Sequence, residues 1–436
     1  MGLLGREEVV SPADPATYSV DGVVAEAVAL PSRVEAVSDV MRLASERRLA
    51  VVPRGGGTQM GLGNPPTGLD LVLGLERLNG LAFHEPADLV AAAQAGMTID
   101  AFRGELARHG QTLPLEFPLS SKATVGGVLA ANAGGPSRLA FGGLRDWLIG
   151  LRVVRASGEV TKSGGRVVKN VTGYDLNKLY TGSLGTLGVI VEATFKVTPL
   201  PEGKRTVIAS TGSLEAAVDL SQEVLGLPGR PQALQVMDRG AMDRLPELRT
   251  SRGAAVVAAL FSGNELSVGR KVSQATEVLA AGGASNVATL MNGEGDEVWR
   301  AVTDLGWAGE GGPRLMVRVG LLPSRVATFV ASMGGRPTPL PRGILADPGS
   351  GLVRVLEWAE ELELRADELV ENTVRTVRRA ADTCGGYAVI ERCPLALKRK
   401  IDVWGDDVGS LDLMRRVKRE MDPKGILSPG RFVGGI

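Results

Sequence analysis

Apolar positions at Val34, Val37 and Met41 recur at helical spacing near the start of the chain. They predict an amphipathic helix that Ser32 is expected to cap. Pro53 is expected to end the strand that follows. Short apolar runs bounded by glycine, proline or polar residues predict strands at 49–52, 69–73, 89–95 and 189–197.

Two local signals lie between these strands. Thr98 is expected to cap a helix that ends near Gly110. Residues 151–156 and 159–162 flank Ser157-Gly158 and predict a hairpin. Helices and strands therefore share the first two hundred residues.

A Pro-Leu-Pro segment at 199–201 is the strongest internal boundary. Beyond it, helices and strands alternate in an α+β pattern for which we expect a mixed sheet. An amphipathic helix at 411–421 ends before Pro423. We predict domains at 1–200 and 201–393 and a C-terminal segment at 394–436. The central elements are expected as strands at 205–209, 233–237, 255–260 and 315–320, and as helices at 214–225, 268–281 and 366–382.

Composition excludes several classes of protein. The length of 436 residues suits two or three domains, and the formal net charge of zero indicates no nucleic-acid partner. Two cysteines, Cys384 and Cys393, are too few for an iron–sulfur cluster. Two histidines, His84 and His109, exclude a histidine-rich metal site, so we predict no metal. We expect neither a signal peptide nor a transmembrane segment, and a cytoplasmic location.

A triple glycine follows the strand predicted at 49–52. Successive N–H groups of Gly55, Gly56 and Gly57 can point into one concavity and hold an anion, with Arg54 adding positive charge. A plain flexible turn is the alternative. Neither the dinucleotide fingerprint nor the P-loop matches, because Met60 and Leu62-Gly63 stand where those motifs need other residues.

Two further glycine blocks favour a ligand. Gly126-Gly127 and Gly134-Gly135 bracket a segment of small residues, and residues 182–188 form a third block without bulky side chains. Close helix packing is the alternative for the second block. Glycine loops that follow strands and lie far apart in sequence are better explained by one large dianionic ligand with a planar ring.

These blocks carry a family resemblance. Residues 24–198 resemble the FAD-binding domain of the vanillyl-alcohol oxidase / p-cresol methylhydroxylase (PCMH) superfamily in the segments 53–58, 123–135 and 182–190. The resemblance implies an α+β fold, with a PCMH-type two-subdomain FAD-binding domain and an α+β, ferredoxin-like cap domain. It also implies that the C-terminal helix returns to the FAD-binding domain.

Two more segments narrow the resemblance. Residues 166–175 and 421–431 are similar to the FAD-binding subunits of glycolate oxidase, in particular the E-subunit type. This implies a subunit of a glycolate (2-hydroxyacid) oxidase or dehydrogenase complex. Its flavin would pass electrons to a separate iron–sulfur subunit, beside a second FAD-binding catalytic subunit. The expected substrates are glycolate and D-lactate, and partners would attach the complex peripherally at the inner face of a membrane.

The same resemblance implies which residues hold FAD. Some relatives attach flavin through a histidine in the first loop, where this chain has Thr58, so non-covalent FAD is expected. The implied cofactor-binding residues are Pro53, Arg54, Gly55, Gly56, Gly57, Thr58, Pro118, Ser120, Ser121, Thr124, Gly126, Gly127, Asn132, Gly134, Gly135, Gly185, Gly188, Val189 and Ile190.

The catalytic residues stay open. Related 2-hydroxyacid dehydrogenases carry a C-terminal histidine motif, and this chain has no histidine after His109. The remaining candidates are Lys169, Tyr174, Arg318 and Arg392, each of which has a structural alternative. Two other functions remain open: a stand-alone FAD-dependent D-2-hydroxyacid dehydrogenase, and a non-catalytic FAD-containing assembly subunit.

Overall fold

The computed structural model describes residues 9–10, 15–166, 173–248, 251, 253–307, 311–334, 340–358, 366–405 and 409–436. The chain divides into two compact units. The first comprises Met1–Gly134, Gly143–Leu200 and Lys398–Ile436, and the second comprises Gly135–Gly142 and Pro201–Leu397. The predicted domain boundaries lay after residues 200 and 393. Among the described residues, no helix has the length and hydrophobicity needed to cross a bilayer.

The first half of the chain mixes short strands with short helices. Its elements are β1 (Val9–Val10), β2 (Ala27–Ala29), α1 (Val34–Arg47), β3 (Val51–Arg54), β4 (Leu71–Gly74), β5 (Leu81–Glu85), β6 (Val90–Gln94), α2 (Ile99–Ala107), β7 (Gln111–Thr112), α3 (Val125–Ala131), α4 (Arg138–Phe141), β8 (Leu148–Val154), β9 (Val160–Gly164), α5 (Asn177–Tyr180), β10 (Val189–Lys196) and β11 (Thr198–Pro199).

The second half begins with the longer strands. Its elements are β12 (Gly203–Thr211), α6 (Leu214–Leu225), β13 (Ala233–Asp238), α7 (Arg239–Met242), β14 (Ala255–Gly263), α8 (Glu265–Ala281), β15 (Ser285–Met291), α9 (Asn292–Asp304), β16 (Leu315–Gly320), α10 (Val326–Met333), β17 (Arg342–Asp347), β18 (Leu352–Glu357), α11 (Ala366–Thr383), β19 (Tyr387–Arg392), α12 (Leu395–Lys398) and α13 (Leu411–Met421).

The first unit contains two larger sheets of different kinds and a two-stranded sheet formed by β7 and β11. One has the order β1-β2-β4-β3, in which β4 pairs in parallel with both β2 and β3. The other has the order β5-β6-β10-β8-β9 and is antiparallel throughout. The predicted hairpin is confirmed as β8 and β9. Val28, Val52 and Val72, which lie in β2, β3 and β4 of the first sheet, are fully or almost fully buried, and their packing holds the strand that leads into the glycine loop.

Two local predictions in this unit are wrong. Helix α1 begins at Val34 with Arg33 as its N-cap and no side-chain cap, so Ser32 does not cap it. Pro53 lies inside β3, opposite Leu73, and does not end the strand. Strand β3 is at the edge of its sheet, where the missing N–H of proline is tolerated.

The second unit is built on one eight-stranded sheet with the order β15-β12-β14-β13-β17-β18-β16-β19. Every described strand pair in it is antiparallel, so the expectation of a mixed sheet is wrong. Helices α6, α8 and α11 lie where helical periodicity predicts them. The α+β fold class is confirmed. Trp299, Met316 and Leu356 are among the buried residues that hold helices against this sheet.

The C-terminal segment belongs to the first unit. After α13, Asp422 accepts hydrogen bonds from the backbone N–H groups of Ile426 and Leu427 at 3.1 and 2.8 Å. The N–H of Val51 donates to Ile426 O at 2.7 Å, and the N–H of Ser428 donates to Val51 O at 2.8 Å. The tail therefore runs beside β3, directly before the glycine loop.

Candidate FAD-binding site

The three glycine blocks meet at one cavity in the first unit. The cavity has a volume of about 80 Å³ and lies between the loop after β3, helix α3 and the turn at 184–185. The sequence predicted eight of the lining residues as ligand contacts. They are Pro53, Gly55, Gly56, Gly57, Thr58, Thr124, Gly127 and Gly185, of which Pro53 comes from β3 itself.

The first and second blocks touch through backbone that has no room for side chains. A Cβ atom on Gly56 would lie 1.7 Å from Lys122 O, and one on Gly55 would lie 2.1 Å from Thr124 Oγ1. Thr124 is the N-cap of α3 and accepts a hydrogen bond from the N–H of Gly127 at 3.3 Å. Glycine is thus required at positions 55 and 56 to bring the loop against the start of α3.

The third block reaches the same cavity through backbone hydrogen bonds to α3. The N–H of Leu184 donates to Ala130 O at 2.9 Å, and the N–H of Gly182 donates to Leu129 O at 2.9 Å. Gly185 adopts a φ of +72°, and a Cβ there would lie 3.2 Å from Pro53 Cδ. The third block therefore lies against the end of β3.

The cavity offers hydrogen-bond donors that fit a pyrophosphate. Among the described residues, the backbone N–H groups of Gly55, Gly56, Gly57 and Thr58 have no acceptor. Within the same part of the chain, the buried Nε of Arg431, which also lines the cavity, has none either. Consecutive amides beside a fixed positive charge form an anion-binding concavity. The residues present therefore fit the phosphates of FAD.

Arg431 carries the positive charge of this wall. It is 3% exposed, and its guanidinium donates to the carbonyl oxygens of Met60 and Leu62 at 2.6 and 2.5 Å. Burial lowers its pKa to about 10, so the side chain stays protonated at neutral pH. Arg54 lies across the loop, with its guanidinium 4.9 Å from the ring centre of Tyr18.

The sequence missed part of this cavity wall. Arg431 lies in a tail segment whose sequence indicates only a family resemblance, and its place beside β3 follows from tertiary pairing. Methionine and alanine side chains carry no signal of ligand contact. The lining residues without a sequence prediction are Val52, Gln59, Met60, Ala130, Ala131, Leu184 and Arg431.

Several predicted cofactor residues have packing roles in the structure. A Cβ on Gly126 would lie 2.7 Å from Ala95 Cβ, and one on Gly188 would lie 2.5 Å from Val153 Cγ1. Val189 and Ile190 are 0% and 6% exposed in β10. None of these four is among the residues that line the described cavity. Their contact with FAD stays a prediction.

The other predicted residues lie around the same region. Asn132 ends α3 in a left-handed conformation with a φ of 50°. Ser120 O accepts from the N–H of Asp100 at 3.2 Å, close to α2. Pro118 is buried, Ser121 is exposed, and Gly134 has open space where a Cβ would lie. Gly135 is assigned to the second unit.

The catalytic candidates are not gathered at the cavity. Lys169 lies outside the described residues, and Tyr174 is 93% exposed. Arg318 donates to Glu391 at 2.8 Å, and Arg392 donates to Gly306 O at 3.3 Å, both within the second unit.

The two histidines form a pair away from the cavity. The rings of His84 and His109 are 4.9 Å apart, and His84 Nε2 lies 2.8 Å from Gln111 Oε1. Neither is among the residues that line the described cavity. Among the described residues, no group of three or more His, Cys, Asp or Glu side chains is arranged to hold a metal ion.

The fold defines the class of the protein. The structure of p-cresol methylhydroxylase with substrate bound superposes with a TM-score of 0.75 at 16% identity, over 99% of this chain and 94% of that chain. The chain therefore has the PCMH-type FAD-binding fold.

Family comparisons agree with the fold. The family described as FAD binding domain matches residues 25–164, and the family described as FAD linked oxidases, C-terminal domain, matches residues 200–336 and 404–432. Between them they cover more than two thirds of the chain. The chain belongs to the FAD-linked oxidoreductases and binds FAD.

Curated relatives match only part of the chain. Glycolate oxidase subunit GlcD of Bacillus subtilis is 36% identical over 49% of this chain and 46% of that protein. D-2-hydroxyglutarate dehydrogenase of Xanthomonas citri is 37% identical over 44% and 41%. Glycolate oxidase subunit GlcE of Escherichia coli is 31% identical over 52% and 66%. The chain thus spans about half the length of the first curated relatives it matches.

Proposed function

We propose that this chain is the FAD-binding subunit of an oxidase or dehydrogenase complex that acts on glycolate or a similar small 2-hydroxy acid. The observation that carries the proposal is the cavity built by all three glycine blocks, in a chain similar to two glycolate oxidase subunits. FAD supplies a two-electron acceptor when it is bound. The protein orients it and holds its phosphates.

Specific residues of the chain bind the cofactor. The amides of Gly55, Gly56, Gly57 and Thr58 and the guanidinium of Arg431 bind the pyrophosphate. Thr58 leaves the first loop without a histidine nucleophile, so the cofactor is held non-covalently. Acid or heat should then release all of the flavin as FAD. Flavin that stays with the denatured polypeptide would contradict this assignment.

Removal of the substrate proton is assigned to a partner. Oxidation of a 2-hydroxy acid needs a general base, and histidine is the commonest one. Both histidines of this chain are engaged with each other in the first unit, and Tyr174 extends into solvent. A second FAD-binding subunit would therefore carry the base. Lys169 and Tyr174 stay the candidates within this chain.

The flavin would pass its electrons to a separate iron–sulfur subunit. A four-cysteine cluster needs more thiolates than the chain contains, since Cys384 is buried and Cys393 is its sole companion in the sequence. The complex would work in the cytoplasm or be held at the inner face of the membrane by its partners.

A stand-alone D-2-hydroxyacid dehydrogenase is the second candidate. The 37% identity to D-2-hydroxyglutarate dehydrogenase favours it. A non-catalytic subunit that keeps FAD for assembly is the third. A flavin that stays oxidised while the whole complex turns over substrate would support that role.

The decisive experiment is purification of the chain with its partners, followed by anaerobic flavin spectra with and without glycolate. Bleaching of the flavin in the complex is expected. D-lactate and D-2-hydroxyglutarate serve as alternative substrates. Loss of absorbance with none of these acids would refute the proposed function.

A further inference from the structure

Two arginines face each other directly in the sheet of the second unit. Arg318 of β16 and Arg354 of β18 are a cross-strand pair. Like charges at directly opposite positions destabilise a sheet. Glu391 of β19 relieves the repulsion, since its two oxygens accept from Arg318 Nε at 2.8 Å and from Arg354 Nε at 3.3 Å. One carboxylate thus serves two guanidinium groups.

A third arginine approaches this pair from helix α4. Arg138 lies in residues 135–142, the segment that groups with the second unit although the chain on either side belongs to the first. Burial lowers the pKa of Arg138, and the positive charges of Arg318 and Arg354 lower it further. Leu139, the next residue of α4, packs against Gly349 in the turn that leads into β18, so α4 lies at the end of the sheet from which Arg354 extends.

Arg138 has no acceptor of its own among the described residues. The carboxylate of Asp347 attracts Arg138, and the two form no ion pair. The oxygens of Asp347 are already used, because Oδ1 accepts from the N–H groups of Gly349 and Ser350 at 3.1 and 3.0 Å and Oδ2 accepts from Ser350 Oγ. The guanidinium of Arg138 therefore keeps free donors.

The position of α4 does not depend on the charge of Arg138. Ser137 Oγ accepts a hydrogen bond from Gln232 Nε2 at 2.7 Å, and Gln232 is in turn bonded to Ser262. A Cβ on Gly349 would lie 2.4 Å from Leu139 Cδ1, so Leu139 packs against the turn between β17 and β18. Neighbouring residues anchor the segment, which leaves Arg138 available for a ligand.

The cluster is accessible to a small anion. The side chains of Arg318 and Arg354 are 25% and 22% exposed. Tyr387 is 53% exposed and pairs with Gly320 on β16, and the absence of a side chain at Gly320 leaves the space that the tyrosine ring occupies. Within the part of the chain that the structure describes, the three guanidinium groups have two carboxylates beside them, Glu391 and Asp347, so one positive charge has no counter-ion there.

We propose that Arg138, together with Arg318 and Arg354, forms a binding site for a small carboxylate in the second unit. The planar fork of arginine pairs with a carboxylate through two parallel hydrogen bonds. The inference rests on the proposed function only for the identity of the ligand. A 2-hydroxy acid substrate and a regulatory carboxylate share the chemistry that this cluster recognises.

The test is calorimetric titration of the full FAD-loaded chain with oxalate, glycolate and D-lactate. Loss of a charge-assisted bidentate contact should weaken oxalate binding by about tenfold or more in Arg138→Gln. Arg138→Lys should be weakened to a smaller extent, because it keeps the charge without the fork. Arg375→Gln is the control, since Arg375 is 70% exposed and pairs with Glu371. It should bind oxalate like the unmodified chain.

The outcomes separate the site from the function. Equal oxalate affinity in Arg138→Gln and the unmodified chain, or no binding at millimolar oxalate, would overturn the site. Arg354→Gln gives a second test if Arg138→Gln fails to fold. Oxalate binding without flavin bleaching by any 2-hydroxy acid in the complex would refute the proposed function and leave the site as one for a regulatory carboxylate. Flavin bleaching by a 2-hydroxy acid that is unaltered in Arg138→Gln would support the proposed function and would show that this cluster does not bind the substrate.

Discussion

The two units offer different groups to an anion, the first its backbone and the second its side chains. The first uses the backbone: consecutive amides at residues 55–58 have no acceptor in the described chain, and glycine lets the loop lie against α3. The second uses side chains: Arg138, Arg318 and Arg354 project from a helix and two strands. A backbone cradle needs local geometry and is visible in sequence as glycine. A side-chain cluster needs three distant segments and leaves no local pattern.

The difference has a consequence for substitution. A glycine loop is sensitive to added volume, because a Cβ there would meet neighbouring protein atoms or occupy the space of the ligand. An arginine cluster is sensitive to lost charge and to the shape of the guanidinium group. Substitutions that add volume should therefore affect the site in the first unit, and substitutions that remove charge should affect the site in the second unit.

The largest expected effect concerns catalysis by the isolated chain. A poised general base contributes about 10²–10⁴-fold to rate. The FAD-loaded chain without partners should therefore reduce its flavin with glycolate roughly that much more slowly than the complex does. Stopped-flow absorbance under anaerobic conditions measures both rates. Equal rates would show that the chain carries its own base, and Tyr174→Phe would then be the first variant to examine.

The second prediction adds volume to the glycine cradle. Gly127→Val places a branched side chain at a cavity where the Cβ position is otherwise open, apart from Thr124 Oγ1 at 3.1 Å. Overpacking typically costs about 1–3 kcal/mol, so FAD affinity should fall by roughly 5- to 150-fold. Flavin content after gel filtration measures the loss.

Two further variants, a control and a second test, are needed to interpret the result for Gly127→Val. Gly61→Val is the matched control, because nothing lies within 4 Å of a Cβ there and Gly61 is outside the cavity wall. It should retain FAD. Gly57→Val should also lose FAD, although its φ of +73° adds backbone strain. Full occupancy in both Gly127→Val and Gly57→Val would remove these loops from the cofactor site.

The third prediction concerns buried charge in the sheet of the second unit. Glu357 is 1% exposed, and burial raises its pKa to about 7 from an ordinary value of 4.5, although Thr373 donates to it at 2.8 Å. Because the folded-state pKa is raised, the folded state favours the protonated acid. Stability from this group is present below about pH 4.5 and is lost as the pH rises through 7.

Glu357→Gln tests this sign. It should raise the free energy of unfolding at pH 8 by roughly 1–3 kcal/mol and alter it little at pH 5. Denaturant unfolding at both pH values gives the measurement. Glu371→Gln, which alters an exposed helix pair, is the control. A Glu357→Gln variant that is less stable than the unmodified chain at pH 8 would contradict the assignment.

The smallest expected effect compares helix caps in the two units. Thr124 caps α3 at the cavity, and Ser213 caps α6, where it accepts from the N–H of Ala216 at 3.1 Å. Replacing either by alanine should lower stability by about 1 kcal/mol. Thr124→Ala alone should also weaken FAD binding, which fluorescence titration measures. Equal FAD affinity in the two variants would show that the Thr124 cap does not contribute to FAD binding.

The sequence predicted the periodic elements well. The helix expected at 214–225 is confirmed as Leu214–Leu225, and Thr98 caps α2 as expected. In the second unit the sequence did not predict β15, β17, β18 and β19. Strand β15 is largely exposed, and β17, β18 and β19 are largely buried but carry charged residues that interrupt their apolar runs. Glycine spacing indicated the three blocks that line the cavity, since each must allow a close backbone approach.

Tertiary structure decided what no local pattern encodes. Arg431 enters the cavity wall because residues 426–428 pair beside β3, a contact between chain segments almost four hundred residues apart. Arg138 joins Arg318 and Arg354 because residues 135–142 fold with the second unit. The sequence by itself determined the glycine cradle, because backbone freedom is a property of each residue. Only the fold determined the charges around it, because electrostatic interactions depend on distance in space and not on distance along the chain.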